Sequence, residues 1–328
     1  MSSIINVKQL SKYYKVHRKQ PGLAGSLKSL VKRRYETVKA ARDISFSINE
    51  GELVGFIGPN GAGKTTTLKM LSGLLYPTSG EARVLGFTPW ERKKNFLKQI
   101  SLVMGQKAQL WWDLPLHDSL LLQRDIYEMD RGDFTQSLAE LTELLDLKEF
   151  LNVQVRKLSL GQRMRGELAA ALIYRPKVLF LDEPTIGLDV VVQKKIRDFI
   201  AAYRQRRRAT IILTSHYLDD VRELAGRLIM IDHGTVVYDG TPEELIRKHV
   251  DHKRIVLTFS QPVARADLTS HGTIIKYQPL RASLQVPRSE TTTRAAAMLT
   301  NLPVEDISIE EPSLENVVRE LFTKKDYA

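Results

Sequence analysis

The sequence predicts an α/β fold whose parallel sheet carries a phosphate-binding loop, and three features of its 328 residues predict it. The first is the run Gly58-Pro59-Asn60-Gly61-Ala62-Gly63-Lys64-Thr65-Thr66, which satisfies Gly-x4-Gly-Lys-Thr. The second is the context of that run. Glu52-Leu53-Val54-Gly55-Phe56-Ile57 before it reads as a buried strand, and Thr66-Thr67-Leu68-Lys69-Met70-Leu71 after it continues as a helix. The third is a pair of later apolar strands with polar ends: Val178-Leu179-Phe180-Leu181 runs into Asp182-Glu183, and Ile211-Ile212-Leu213 runs into Thr214-Ser215-His216. Glycines let the backbone curl until consecutive N–H groups point inward at phosphates, and the helix N-terminus adds positive partial charge there. Lys64 then reaches the β- and γ-phosphates of a nucleoside triphosphate, and Thr65 offers its hydroxyl to Mg²⁺. A strand ending in Asp182-Glu183 brings both acids to the carboxyl edge of the sheet, where open α/β folds hold ligands. Asp182 is the expected Mg²⁺ partner, acting through water, because that ion prefers hard oxygens and keeps part of its hydration shell.

The remaining elements follow in chain order. Leu10-Ser11-Lys12-Tyr13-Tyr14 ends a first strand, an insertion over about 18–36 follows, and Asp43 to Ile48 is the next strand. Residues from about 89 to 155 read as a helical stretch, with leucine at helical spacing in Asp118 to Tyr127 and Phe134 to Leu147. Leu158-Ser159-Leu160-Gly161-Gln162 opens an alanine-rich helix, and Gly187-Leu188-Asp189 follows the Asp182-Glu183 strand closely. Arg227 to Ile231 and Thr235 to Tyr238 form a hairpin around His233-Gly234. Past residue 248 the texture changes to a small α+β extension. Short strands are expected at Ile255 to Phe259, Thr273 to Tyr277, Ser283 to Val286 and Asp306 to Ile309, with a helix at Thr293 to Leu299. A last helix, Leu314 to Phe322, has Ser313 as N-cap and buries Leu314, Val317, Val318 and Leu321.

The order phosphate loop, Gln106, Leu-Ser-Leu-Gly-Gln, Asp182-Glu183, Asp189 and His216 resembles the nucleotide-binding domain of ABC transporters, over about residues 1 to 245. The Leu-Ser-Leu-Gly-Gln segment makes that resemblance specific among proteins with this phosphate loop. It implies a P-loop NTPase (RecA-like) core with an ABC β-subdomain and a helical subdomain, together residues 1–248, and an extension over 249–328 of the kind many exporter ATPases carry. It implies ATP and Mg²⁺ as ligands, Glu183 as the group that orients and deprotonates the attacking water, and His216 as the switch histidine at the γ-phosphate. Gln106 resembles the residue that touches Mg²⁺ and water and senses a membrane partner. Ser159, Gly161 and Gln162 would cap the triphosphate held by a second chain, with their helix N-terminus aimed at the γ-phosphate, and Asp189 would cross the same interface. A chain with one copy of each motif therefore pairs with another, itself or a paralogue. Relatives stack adenine on an aromatic at the end of the first strand; Tyr14 fits by local motif, and Tyr35 stands nearer the second strand.

Composition bounds the rest. Residues 1–39 hold ten Lys or Arg and one Glu, so +9 of the net +11 lies there. Leu23, Leu27, Leu30 and Val31 share one helical face while Lys28, Lys32, Arg33 and Arg34 lie elsewhere, a short basic amphipathic helix. It is either a solvated face or a contact with anionic lipid headgroups. Nucleic acid is the weaker partner, because the charge is localised and no recognition module accompanies it. No stretch approaches the ~18–20 apolar residues of a membrane span, no signal-peptide region is present, and zero cysteines exclude disulfides and thiolate metal sites. The expectation is a peripheral subunit at the cytoplasmic face of a bacterial membrane, beneath separate permease subunits. Gly86-Phe87-Thr88-Pro89-Trp90-Glu91-Arg92 and the stretch from Met104 to Pro115 with Trp111-Trp112 resemble exporter ATPases of drug-efflux type. An importer subunit is the nearer rival; a soluble ABC protein would show tandem ATPase units or a long coiled-coil insertion.

Overall fold

The computed structural model describes residues 3–17, 35–105, 108–215, 217–249, 251–311 and 314–323. Gln106, His216, the Ser313 cap and the expected basic helix up to residue 34 lie outside the described residues. The chain divides into two compact units, Met1–Asp239 and Gly240–Ala328.

In the first unit, β1 (Ser3–His17) and β2 (Tyr35–Asn49) pair antiparallel, and β3 (Leu53–Ile57) leads through the phosphate loop into α1 (Lys64–Leu71). Next come β4 (Ser79–Val84), α2 (Lys94–Leu97), β5 (Ile100–Met104), then α3 (Leu116–Ile126), α4 (Arg131–Leu144) and α5 (Leu160–Leu172). The unit is completed by β6 (Val178–Asp182), α6 (Val190–Arg207), β7 (Thr210–Thr214), α7 (Leu218–Leu224), β8 (Arg227–Asp232) and β9 (Thr235–Gly240).

Two sheets result. One is antiparallel, in the order β2-β1-β4. The other has the order β5-β6-β7-β3-β8-β9, and its first five strands run parallel. Every residue of β3, β6 and β7 is buried, which is why these strands read as unbroken apolar runs. The β8–β9 link is His233-Gly234, with φ of 45° and 81°, the pair of left-handed residues that a tight hairpin turn demands. Ile5, Val7, Ile44 and Ile48 of the antiparallel sheet share one core with Phe56, Phe180, Ile212 and Ile229 of the parallel sheet and with Leu68 and Met70 of α1. Both sheets thereby fix the helix that follows the phosphate loop.

Three expectations change. The stretch 89–155 is not helical throughout, because Ile100–Met104 is the edge strand of the parallel sheet, paired with β6. A five-residue apolar run suits either period, and pairing decides it. Tyr35 begins β2, inside the insertion expected over about 18–36, since β1 continues to His17 and the two strands stay paired out to His17–Tyr35. The helix Pro242–His249 groups with the second unit, not with residues 1–248, because it packs against the final helix.

The second unit runs α8 (Pro242–His249), β10 (His252–Phe259), α9 (Arg265–Leu268), β11 (Thr273–Gln278), β12 (Arg281–Pro287), α10 (Thr291–Asn301), β13 (Val304–Glu310) and α11 (Leu314–Thr323). Its four strands form an antiparallel sheet ordered β11-β12-β10-β13. Alternation puts Ile255, Leu257, Phe259, Leu284 and Val286 on one face, where Leu268 and Met298 of α9 and α10 close the core. In α11, Leu314, Val317 and Val318 are buried and Leu321 is half-buried. Among the described residues no helix is long and apolar enough to cross a membrane.

Candidate functional site

The phosphate loop is shaped by close backbone approach. A Cβ on Gly58 would stand 2.2 Å from the Ile231 carbonyl oxygen, and one on Gly63, whose φ is 106°, would stand 2.2 Å from that of Ala40. Only glycine fits either place. The loop ends in α1, whose first N–H groups have no intrahelical acceptor and so face the loop's concavity. Lys64 folds back into that curve and its Nζ donates to the carbonyls of Gly58 at 2.6 Å and Pro59 at 3.1 Å. Burial lowers its pKa, and the charges of Glu183 and Asp182 oppose that shift.

The carboxyl end of β6 meets this loop, and the ends of β5 and β7 flank it. Thr65 Oγ1 donates to Asp182 Oδ2 at 2.7 Å, and Thr214 Oγ1 donates to Asp182 Oδ1 at 2.7 Å. Both oxygens of the buried carboxylate are thereby aimed. The Glu183 N–H donates to Thr214 Oγ1 and to the Thr214 carbonyl, each at 3.1 Å. Glu183 itself is left-handed, with φ of 55°, a conformation that costs a side-chain-bearing residue about 1–2 kcal/mol. Gly105 answers it: a Cβ there would lie 2.2 Å from the Glu183 carbonyl oxygen, and the Gly105 N–H donates to the Asp182 carbonyl at 2.9 Å. The structure thus brings Lys64, Thr65, Asp182 and Glu183 together around the loop.

Ser159 and Asp189 both cap helices. Ser159 Oγ accepts from the Gln162 N–H at 3.2 Å while Gln162 Oε1 accepts from the Ser159 N–H at 2.9 Å, a reciprocal capping box at the start of α5. Asp189 Oδ1 accepts from the Val192 N–H at 3.0 Å at the start of α6. The two helix starts adjoin, since a Cβ on Gly161 would lie 3.2 Å from both Val192 methyls. The tyrosines separate. Tyr14 lies opposite Val38, two residues from Ala40 and the loop, with Lys12 Nζ 5.3 Å from its ring centre. Tyr35 lies five residues from Ala40 on an extended strand, about 17 Å at about 3.4 Å per residue.

Sequence reasoning missed four residues. Thr214 was visible only as the end of an apolar strand, and Gly105 as a lone glycine after an unrecognised one. Glu167 in α5 is buried, its carboxylate accepts the Gln109 N–H at 2.8 Å and the Leu110 N–H at 3.4 Å, and burial raises its pKa. It ties the segment after Gln106 to the helix that Ser159 caps. Asp220, also buried, carries no motif at all.

Residues 41–186 match the ABC transporter family model, and residues 251–310 match the C-terminal domain of EvrA-like ABC transporters. The chain is 34% identical over 210 residues to the ABC transporter ATP-binding protein NatA of Bacillus subtilis, covering 64% of this chain and 85% of that one. It is 32% identical to the doxorubicin resistance ATP-binding protein DrrA of Mycobacterium tuberculosis, covering 85% and 87%, and 31% identical to the daunorubicin/doxorubicin resistance protein DrrA of Streptomyces peucetius, covering 91% and 92%. Among solved structures, an ATP-binding subunit of an ABC transporter superposes with a TM-score of 0.63 at 23% identity, over 75% of this chain and 93% of that one. A dimeric ATP-binding cassette bound to ADP and phosphate gives 0.60 at 24% identity, over 72% and 98%; at such identity these two speak for the fold. With the phosphate loop, the paired acids and the capped Leu-Ser-Leu-Gly-Gln helix in place, the chain belongs to the ATP-binding subunits of ABC transporters, a family of ATPases.

Proposed function

We propose that this chain pairs with a second copy or a paralogue, closes on two ATP molecules, and drives export through separate permease subunits from the cytoplasmic face of the membrane. The observation that carries this reading is the hydrogen-bond line Thr65–Asp182–Thr214–Glu183, which joins phosphate loop and paired acids into one rigid arrangement. In it, the N–H groups of residues 60–66 cradle the phosphates, and Lys64 supplies the cation at the β- and γ-phosphates. Thr65 Oγ1 and Asp182 offer hard oxygens 2.7 Å apart, a donor set that fits Mg²⁺, with Gln106 as the third expected contact. When bound, that ion neutralises charge on the phosphate oxygens. Glu183 takes the proton from the attacking water, and His216 contacts the γ-phosphate. Tyr14 stacks on adenine, its place beside the loop favouring it over Tyr35.

Ser159, Gly161 and Gln162 cap the ATP held by the partner chain, and the N-terminus of α5 brings its positive end to the γ-phosphate. Asp189 meets the partner beside them. The drug-resistance names of two relatives support export as the direction. The exposed Trp111 and Trp112, close after Gln106, suit contact with a permease, and the basic charge of residues 1–39 suits anionic headgroups beside it. The test is Glu183→Gln. ATP should still bind and an ATP-bound dimer should accumulate in light scattering, while turnover falls about 10²-fold or more; near-normal turnover sinks the reading.

A further inference from the structure

Asp220 sits in α7 with 1% of its surface exposed. Its carboxylate accepts a hydrogen bond from each of three segments that bear on hydrolysis. Thr185 Oγ1, two residues past Glu183, donates to Oδ2 at 2.6 Å. Ser215 Oγ, immediately before His216, donates to the same oxygen at 3.1 Å. Arg197 Nη1, two turns into the helix that Asp189 caps, donates to Oδ1 at 2.6 Å. Ser215 Oγ also accepts from the Tyr217 N–H at 3.0 Å, so one hydroxyl pins the backbone on both sides of residue 216. Arg197 is held on its other edge by Glu223, 2.7 Å from Nε.

We propose that Asp220 is a positioning residue for ATP hydrolysis: it ties the loops bearing Glu183 and His216 to the helix behind Asp189, so that docking of the Asp189 end on a partner also sets the base and the switch histidine. A buried carboxylate requires donors, and charge-assisted bonds to it are short and directional. With donors on both of its oxygens, the Asp220 carboxylate rigidifies what it joins. Two of the three donors are short hydroxyls on loops, not long side chains spanning helices, so the carboxylate fixes loop backbone within two residues of each reacting group. Thr185 and Ser215 are themselves buried, so neither has water to fall back on. The proposal rests on the roles proposed above for Glu183 and His216.

The experiment measures kcat, KM for ATP and Tm on the purified full-length chain. Asp220→Asn should lower kcat about 10- to 100-fold, the scale of a misplaced catalytic group, with KM within about threefold of wild type because no ATP contact is touched. Two further variants separate positioning from folding. Arg197→Met with Asp220→Leu removes both buried charges together, which is tolerated far better than removing one; Tm should return towards wild type while kcat stays low. Thr185→Val with Ser215→Ala leaves the ion pair but removes both donors to Oδ2; Tm should fall, because that buried oxygen loses its partners, and kcat measured well below the transition should fall further than unfolding accounts for. A kcat that recovers in step with Tm in the first double variant, or stays at the wild-type value in the second, overturns the proposal. Glu183→Gln run alongside distinguishes the levels: normal turnover there refutes the underlying roles, whereas its loss beside normal Asp220 variants refutes the positioning alone.

Discussion

The two half-sites that this chain carries are finished to different degrees. The phosphate-loop half is closed on itself: Lys64 is 6% exposed and bonded to loop carbonyls, and Asp182 is 8% exposed with both carboxylate oxygens aimed. The Ser159–Gln162 half is shaped with equal care by its capping box, yet it opens on apolar surface, Leu160 at 42% exposure and, beside it, Val190 at 75% and Val191 at 68%. Large exposed aliphatics gathered around a capped helix start mark a surface meant to be covered. On the function proposed above, the contrast separates a half-site preorganised within its own chain from one that would take a ligand that another chain brings. Binding and hydrolysis would then be separable events, the first local and the second dependent on assembly.

The largest effect that can break this contrast comes from Lys64→Ala. The variant alone should lose turnover on the order of 10²- to 10³-fold, as removal of a preorganised charge at a developing anion does. Its value lies in mixing. With a threefold excess of variant, random pairing places about three-quarters of wild-type chains in mixed dimers. Activity per wild-type chain should then fall well below that of wild type alone. Constant activity per wild-type chain across mixing ratios would mean that each chain works by itself.

Gly161→Ala sharpens the contrast with a smaller change. A Cβ there would have the Val192 methyls as its nearest neighbours, at 3.2 Å, so stability should stay within about 1 kcal/mol, alanine being the better helix former. On the proposed function, turnover at saturating ATP should nonetheless fall about tenfold, since the methyl crowds Val192 and displaces the helix start that would cap the partner's triphosphate. Gly105→Ala is the counterpart in the closed half, where the Cβ would strike the Glu183 carbonyl at 2.2 Å; Tm and turnover should fall together. Equal behaviour of the two variants in thermal melts would erase the distinction.

What the sequence made legible follows the same line. The loop, β3, β6 and β7 announce themselves because glycines at forced positions and strands buried on both faces leave few alternatives in residue type. The strands of the second unit were visible by alternation on one buried face. β5 was not, because five apolar residues suit a helix as well as a strand until a partner strand is known. β4 was not, because only Ala82 and Val84 of it are buried. Ser159 and Gln162 were read as ligands of a distant phosphate, although Ser-x-x-Gln is also a capping box; the structure gives them the second job without removing the first. Asp220 and Glu167 were illegible in principle, since an acid in an amphipathic helix looks solvated until burial and partners are seen.

The smallest effect separates the two jobs of Ser159. Ser159→Ala removes the oxygen that accepts the Gln162 N–H, while Gln162 Oε1 keeps its bond to the backbone N–H of residue 159. Half the box survives, so the loss should be about 1 kcal/mol, or about 2–4 °C in Tm for a unit the size of Met1–Asp239. Ser159→Asp keeps a strong cap, because a carboxylate accepts from the same N–H groups and favours a helix N-terminus. Its Tm should match wild type. The carboxylate would, however, face the partner's triphosphate with a like charge, so the Asp variant should turn over more slowly than the less stable Ala variant. Stability and turnover would then rank the two substitutions in opposite orders, which a cap acting only on its own helix cannot produce. If turnover instead follows Tm through wild type, Asp and Ala, Ser159 is a cap alone and the exposed half-site owes its ligand contacts to Gly161 and the helix N-terminus.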